Sequence, residues 1–157
     1  MSPRDLAEMD CSIARTLALV GERWTLLVLR DAFYGLRRFE DFQHDLGIAR
    51  NILADRLAKL VDHGVLERRQ YEDRPPRFEY RLTHKGRELL PVLLSLMRWG
   101  DRWETPSGEA PVRLIHEDCG QATEAIPTCP HCGGELGLRN VRVDPIKIKR
   151  REASPVG

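Results

Sequence analysis

The chain lacks long apolar runs, a strong net charge and any dense set of cysteines. No hydrophobic stretch in its 157 residues approaches the roughly 20 that a membrane span requires. The opening MSPRDLAEMD carries acids where a signal peptide needs an apolar core, so the expected compartment is the cytoplasm. Four cysteines are too few for a disulfide scaffold, and three of them fall between positions 119 and 132. In a reducing compartment that clustering favours a metal over disulfides. No phosphate-cradling glycine loop, nucleophile–base pair or open-coordination zinc set is legible, so an enzyme is not expected.

What is present suits one globular core with a small appendage. The chain is 41% hydrophobic and 31% charged, in the range of folded globular proteins, and too short for two full-sized domains. A net charge of +1 hides an uneven distribution, with ten Lys or Arg against six Asp or Glu between positions 47 and 87. Alone, that bias describes a solvated surface.

Periodicity gives the bias a setting. Apolar residues recur at helical spacing over 12–20 (Ile13, Leu17, Val20) and 22–33 (Trp24, Leu27, Val28), with Gly21 between them. A short helix is predicted over 38–45, with Phe39, Phe42 and Leu46 on its buried side. After the turn at LGI, residues 49–63 form another helix whose apolar stripe is Leu53, Leu57, Leu60 and Val61. Gly64 stands where a left-handed C-terminal cap belongs. Helix, tight turn, helix is the outline of a helix-turn-helix. The strand-like VLERRQY and RFEYRLT follow, with EDRPP between them. Pro75 and Pro76 cannot donate to a sheet ladder and are expected in the loop at the hairpin's tip.

A helix-turn-helix followed by an arginine-bearing hairpin is a winged helix. Its second helix enters the major groove, and the wing reaches the DNA backbone or minor groove. The fold class expected is therefore mainly α (α+β). A winged helix-turn-helix with a hairpin wing and a long C-terminal dimerisation helix carries a small zinc-ribbon-like β appendage.

Three motifs together carry a resemblance: Gly21-x-x-Trp24; Leu53-x-x-Arg56-Leu57-x-x-Leu60 before His63-Gly64-Val65-Leu66; and Pro75-x-x-x-x-Tyr80-x-Leu82-Thr83-x-x-Gly86. Over roughly residues 11–103 the chain resembles the HxlR-type transcriptional regulators, relatives of the MarR family. The resemblance implies a DNA-binding regulator. One departure is Ala49, where a Ser or Thr is expected; without its hydroxyl the reading helix loses an N-terminal cap worth ~1 kcal/mol.

The helical wheel then selects the residues that meet DNA. With Leu53, Leu57 and Leu60 buried, the opposite face shows Arg50, Asn51, Ala54, Asp55 and Ala58. Arg50 and Asn51 are the base readers expected, because Arg pairs bidentately with guanine and Asn with adenine. Arg56 and Lys59 lie to the side, placed for phosphates, and Arg74 and Arg77 flank the prolines of the wing. The competing structural reading pairs Arg50 with Asp55 or makes Arg56 a brace for a carbonyl, and it stays open.

Cys11 precedes the first helix, where the resemblance often places a cysteine, and in some such regulators this thiol senses oxidants or electrophiles. Sensing needs a lowered thiol pKa, for which Arg15 or a second subunit's charges are the available sources. The alternative is a buried, inert thiol that packs like a small apolar residue.

The segment 83–103 is too apolar for one subunit. Leu89, Leu93, Leu96 and Trp103 form one stripe, and Leu90, Leu94 and Met97 an adjacent one, where a surface helix shows a single stripe a little over ~100° wide. Leu89, Leu93, Leu96, Met97 and Trp103 are therefore the expected dimer interface. A two-fold homodimer suits a pseudo-palindromic double-stranded operator. Pro91 should kink this helix near Arg87.

TPSGEAP reads as a linker. Beyond it, His116-x-x-Cys119-Gly120 and Cys129-x-x-Cys132-Gly133 are two knuckles, with nine residues between Cys119 and Cys129. His116, Cys119, Cys129 and Cys132 are the expected ligands of one structural zinc, closing a tetrahedron. His131 lies inside the second knuckle, and LGLRNVRV (136–143) reads as a strand after it. A thioredoxin-type redox pair does not fit, because Gly133 and Gly134 follow where a helix is needed.

The organisation read is a DNA-binding and dimerisation domain at 1–104, a linker at 105–110, a zinc-ribbon-like segment at 111–143 and a basic tail, expected to be disordered, at 144–157. The function read is a dimeric, sequence-specific DNA-binding transcriptional regulator, open to control by a small-molecule or oxidant effector. The rivals are a winged-helix adaptor working through protein contacts and a cysteine-based redox or metal protein.

Overall fold

The computed structural model of the chain describes residues 5–143, and the expected basic tail lies outside the described residues. The backbone divides into two compact units, Met1–Ala125 and Ile126–Gly157. That division falls inside the segment 111–143, between its two knuckles.

The first unit begins with a 3-10 turn, Leu6–Glu8, followed by four helices: α1 (Ser12–Val20), α2 (Thr25–Phe33), α3 (Phe39–Leu46) and α4 (Arg50–Asp62). Leu53, Leu57 and Leu60 recur along one face of α4 and are fully buried, together with Val28 and Leu29 of α2 and Phe42 of α3. Each such side chain contributes about 1.5–3 kcal/mol on leaving water, and this shared core fixes the angle at which α4 is presented. Gly47 and Gly64, at φ +61° and +68°, end α3 and α4. The expected Gly64 cap is in place.

Next come β1 (Leu66–Asp73) and β2 (Pro76–Leu82), antiparallel from the pair Leu66–Leu82 to the pair Asp73–Pro76, with a bulge between Gln70 and Glu72. The loop at the tip is tighter than expected. Only Arg74 and Pro75 form the turn, and Pro76 is already the first residue of β2, a position where a missing N–H is tolerated. The Tyr80 N–H donates to the Arg37 carbonyl at 2.7 Å, tying the hairpin to the approach to α3.

The kink expected near Arg87 is a full break. α5 (His84–Arg87) stops, Glu88 and Leu89 turn, and α6 runs Leu90–Trp103. Pro91 lies in the first turn of α6, where it interrupts no helical hydrogen bond. Thr83 caps α5, its hydroxyl oxygen accepting the Gly86 N–H at 3.1 Å and its O–H donating to the Gly64 carbonyl at 2.6 Å. Gly86 is buried so tightly that a Cβ there would sit 2.2 Å from the Val65 carbonyl oxygen. That close approach is the physical content of the Thr83-x-x-Gly86 motif. After α6, a small antiparallel pair, β3 (Leu114–His116) and β4 (Gln121–Thr123), completes this unit.

Among the described residues, the second unit is a single knuckle, closed by an isolated bridge between Thr128 and Glu135. The strand expected over 136–143 is absent. Asn140 captures the backbone instead, its Oδ1 accepting the Gly137 N–H at 2.8 Å and its Nδ2 donating to the Glu135 carbonyl at 2.9 Å. Those bonds close a turn and remove the groups a strand would offer a neighbour.

Candidate nucleic-acid interface

A groove of about 640 Å3 runs between the start of α3, the start of α4 and the wing. Arg38, Arg50, Arg68 and Arg77 line it, with the aromatic rings of Phe39, Tyr71, Phe78 and Tyr80. Three of the guanidinium groups lie over rings: Arg50 over Phe39 at 4.5 Å, Arg38 over Tyr71 at 5.0 Å and Arg68 over Phe78 at 3.6 Å. Stacking holds a guanidinium's plane while leaving its edge donors available. Glu40 and Asp41 are the acidic members of the lining, so the excess is of two positive charges.

The fold brings some expected DNA residues together here and sends others elsewhere. Arg50 is on the groove and Asn51 is exposed beside it, at the start of α4. Arg50 pairs with an aromatic ring and not with Asp55, contrary to one of the two readings of its role. Arg74 is exposed in the hairpin turn, and Arg77 reaches Glu72 at 3.3 Å. Arg56 points away from the groove. Its Nε–H donates to the Arg23 carbonyl at 3.0 Å, and its Nη1 bonds the carboxylates of Glu22 and Asp55. Lys59 donates to both carboxylate oxygens of Glu22 at 3.0 Å. Arg56 is thus a brace for a carbonyl.

Sequence reasoning missed Arg38 and Arg68. Their signal was present, in an arginine before Phe39 and another opposite Tyr80 in the hairpin register, but only the folded hairpin brings them to α4. Leu89 and Leu93 pack against the core, while Val92, Leu96, Trp99 and Trp103 are exposed, Trp99 at 58% and Trp103 at 64%. Met97 is half-buried.

Cys11 is exposed in the single chain. Arg15 is occupied with Asp10 at 2.8 Å and the Met9 carbonyl at 3.0 Å.

The two knuckles share one construction. The Gly120 N–H donates to the His116 carbonyl at 2.7 Å, and the Gly133 N–H to the Cys129 carbonyl at 2.8 Å. Both glycines take positive φ, +68° and +72°, as a turn this tight demands. In the first knuckle, His116 Nδ1 lies 3.3 Å from Cys119 Sγ. A nitrogen and a sulphur on adjacent corners of a zinc tetrahedron, with bonds of about 2.0 and 2.3 Å, are separated by roughly 3.5 Å. In the second, backbone N–H groups of His131 and then Cys132 point at Cys129 and lower its thiol pKa. Imidazole nitrogen and thiolate sulphur are the donor types zinc takes. Among the described residues no group of three or more His, Cys, Asp or Glu is placed to hold a metal ion.

Comparison with known proteins agrees with this architecture. The family model for the HxlR-like helix-turn-helix matches residues 19–108. An HTH-type transcriptional regulator of Mycobacterium tuberculosis, Rv3095, is 46% identical over 134 residues, covering 85% of each chain. The crystal structure of PA1607, a candidate transcription factor, is similar with a TM-score of 0.79 and 40% identity, over 88% of this chain and 96% of that one. The reduced form of the transcriptional regulator YodB from B. subtilis matches with a TM-score of 0.53 and 29% identity, over 62% of this chain and 98% of its own. The likeness to PA1607 is too long to be confined to residues before Pro111, so it extends into the knuckle segment.

Proposed function

Because this chain belongs to the HxlR-like helix-turn-helix family, we propose that it reads a pseudo-palindromic operator as a homodimer. It is a DNA-binding winged-helix transcriptional regulator and not an enzyme. In our reading the start of α4 enters the major groove, with Arg50 and Asn51 on base edges. Arg38, Arg68, Arg74 and Arg77 then meet phosphates or the minor groove. The carrying observation is the arginine-lined groove between α4 and the wing, whose stacked guanidinium groups are held ready for an anionic backbone.

The test uses two duplexes: one selected from a random-sequence pool by the wild-type protein, and one unselected. Arg50→Ala or Asn51→Ala should cost about 1–3 kcal/mol on the selected duplex and much less on the unselected one. Arg74→Ala should weaken both evenly and flatten the salt dependence by about one phosphate contact. A wild-type protein indifferent to salt would favour the adaptor reading. Unchanged sequence preference in both α4 variants would mean that another face enters the groove.

For the knuckles we assign one structural zinc to His116, Cys119, Cys129 and Cys132. Support comes from the shared turn, the His116–Cys119 spacing and the amides aimed at Cys129. When bound, the zinc would supply folding energy to a segment too small for a core of its own. Effector control has two places on the chain. One is the exposed thiol of Cys11, for an oxidant. The other is a cavity of about 810 Å3 beside α6, floored by Leu94, Met97, Val112 and Leu114, within the usual volume of small-molecule sites. No helix among the described residues is long and apolar enough to cross a membrane, and we assign the protein to the cytoplasm with the DNA it reads.

A further inference from the structure

Four charged side chains flank the reading helix and neutralise one another. Glu22 belongs to the turn between α1 and α2, while Asp55, Arg56 and Lys59 lie on α4. Arg56 Nη1 bonds both carboxylates, and its Nε–H pins the Arg23 carbonyl at 3.0 Å. Lys59 Nζ lies 3.0 Å from each oxygen of Glu22 and 3.3 Å from Asp55. These bonds, Glu22's first, raise the pKa of the Lys59 ammonium. The pinned carbonyl precedes Trp24, whose φ of +80° is a conformation that bulky side chains rarely adopt.

The placement decides what this set is for. Glu22, Asp55 and Lys59 are each about half exposed, and ion pairs in that setting contribute little to folding. A free Lys or Arg beside a reading helix, however, takes up phosphate from any sequence and raises random binding along with specific binding. Glu22 is an acid beside a DNA-reading helix, where simple attraction to DNA would favour its absence.

We propose that Glu22 is a specificity-determining residue that acts through Lys59. It withholds the Lys59 ammonium from phosphates, so that binding to random DNA stays weak while Arg50 and Asn51 read bases. Arg56, held also by Asp55 and the Arg23 carbonyl, stays a brace. Arg56 and Lys59, which sequence spacing assigned to phosphates, are both engaged within the protein. The inference rests on α4 being the reading helix.

The test measures affinity against salt on the selected and unselected duplexes for wild type, Glu22→Gln, Lys59→Gln and the double variant. Glu22→Gln should tighten random binding by about five- to tenfold at 0.1 M salt for each phosphate contact released, and steepen the salt slope by ~0.9 per contact. The ratio of selected to random affinity should fall. Lys59→Gln alone should leave the slope unchanged, yet remove about one contact's worth from Glu22→Gln. An unaltered slope and ratio in Glu22→Gln would overturn the proposal. So would a flatter slope in Lys59→Gln alone, since Lys59 would then already be on phosphate in the wild type. Should Glu22→Gln fail to fold by circular dichroism, Lys59→Gln decides alone. A wild-type protein with no salt-dependent DNA binding would instead overturn the reading of α4 as the DNA-reading helix.

Discussion

Gly86 illustrates how one missing methyl group can fix a junction. Glycine inside a helix ordinarily costs about 1 kcal/mol relative to alanine, so Gly86→Ala in α5 would be expected to stabilise the protein. The new Cβ, however, would meet the Val65 carbonyl at 2.2 Å, against backbone that cannot swing aside. Overpacking of this kind costs about 1–3 kcal/mol, so the net effect should be destabilising, with a midpoint lowered by several degrees in a thermal melt. An unchanged or raised midpoint would mean that the α5 junction yields easily. At this scale the sequence was informative about type and less so about partner. Leu53, Leu57 and Leu60 were legible as core because helical periodicity is local. Glu22, 34 residues before Arg56, was not, because nothing local marks which acid a distant guanidinium will meet.

Among elements, the winged helix was legible almost throughout, since α1 to α4 each carry an apolar stripe and Gly21, Gly47 and Gly64 mark where α1, α3 and α4 end. The misreadings arose where short-range hydrogen bonds compete with pattern. LGLRNVRV has the composition of a strand, but Asn140 closes it into a turn. EDRPP looked like a five-residue loop, but Pro76 sits at a strand start that does not need its N–H. The knuckles were legible because Cys129-x-x-Cys132-Gly133 specifies both donors and turn. Cys129→Ser tests their role. It should abolish zinc in metal analysis and unfold the knuckle segment, a loss of several kcal/mol. The winged helix, with its own core, should keep its helical circular dichroism, and DNA affinity should fall only modestly. Protein purified under reducing conditions without metal, and with these cysteines in a disulfide, would overturn the zinc assignment.

For the whole molecule, the exposed face of α6 raises the question of what covers it. Val92, Leu96, Trp99 and Trp103 recur at four- and three-residue spacing along one side of the helix and are all more than two-fifths exposed. Burying such side chains is worth about 1.5–3 kcal/mol each, and a two-fold partner would cover the set twice over. Leu89 and Leu93 already face their own subunit's core, so a charge at Leu93 would damage the fold as well as any dimer. Leu96→Glu and Trp99→Glu are the cleaner probes. Each should convert a dimer to a monomer in sedimentation at micromolar concentration while leaving the thermal midpoint of the winged helix nearly intact. Operator affinity should fall at least a hundredfold, because a single half-site contact is weak and two act together only when joined. Random binding, set by phosphate contacts within each subunit, should fall much less. Wild-type protein that sediments as a monomer, or a monomeric variant that keeps full operator affinity, would remove the dimer from the account of how this regulator reads DNA.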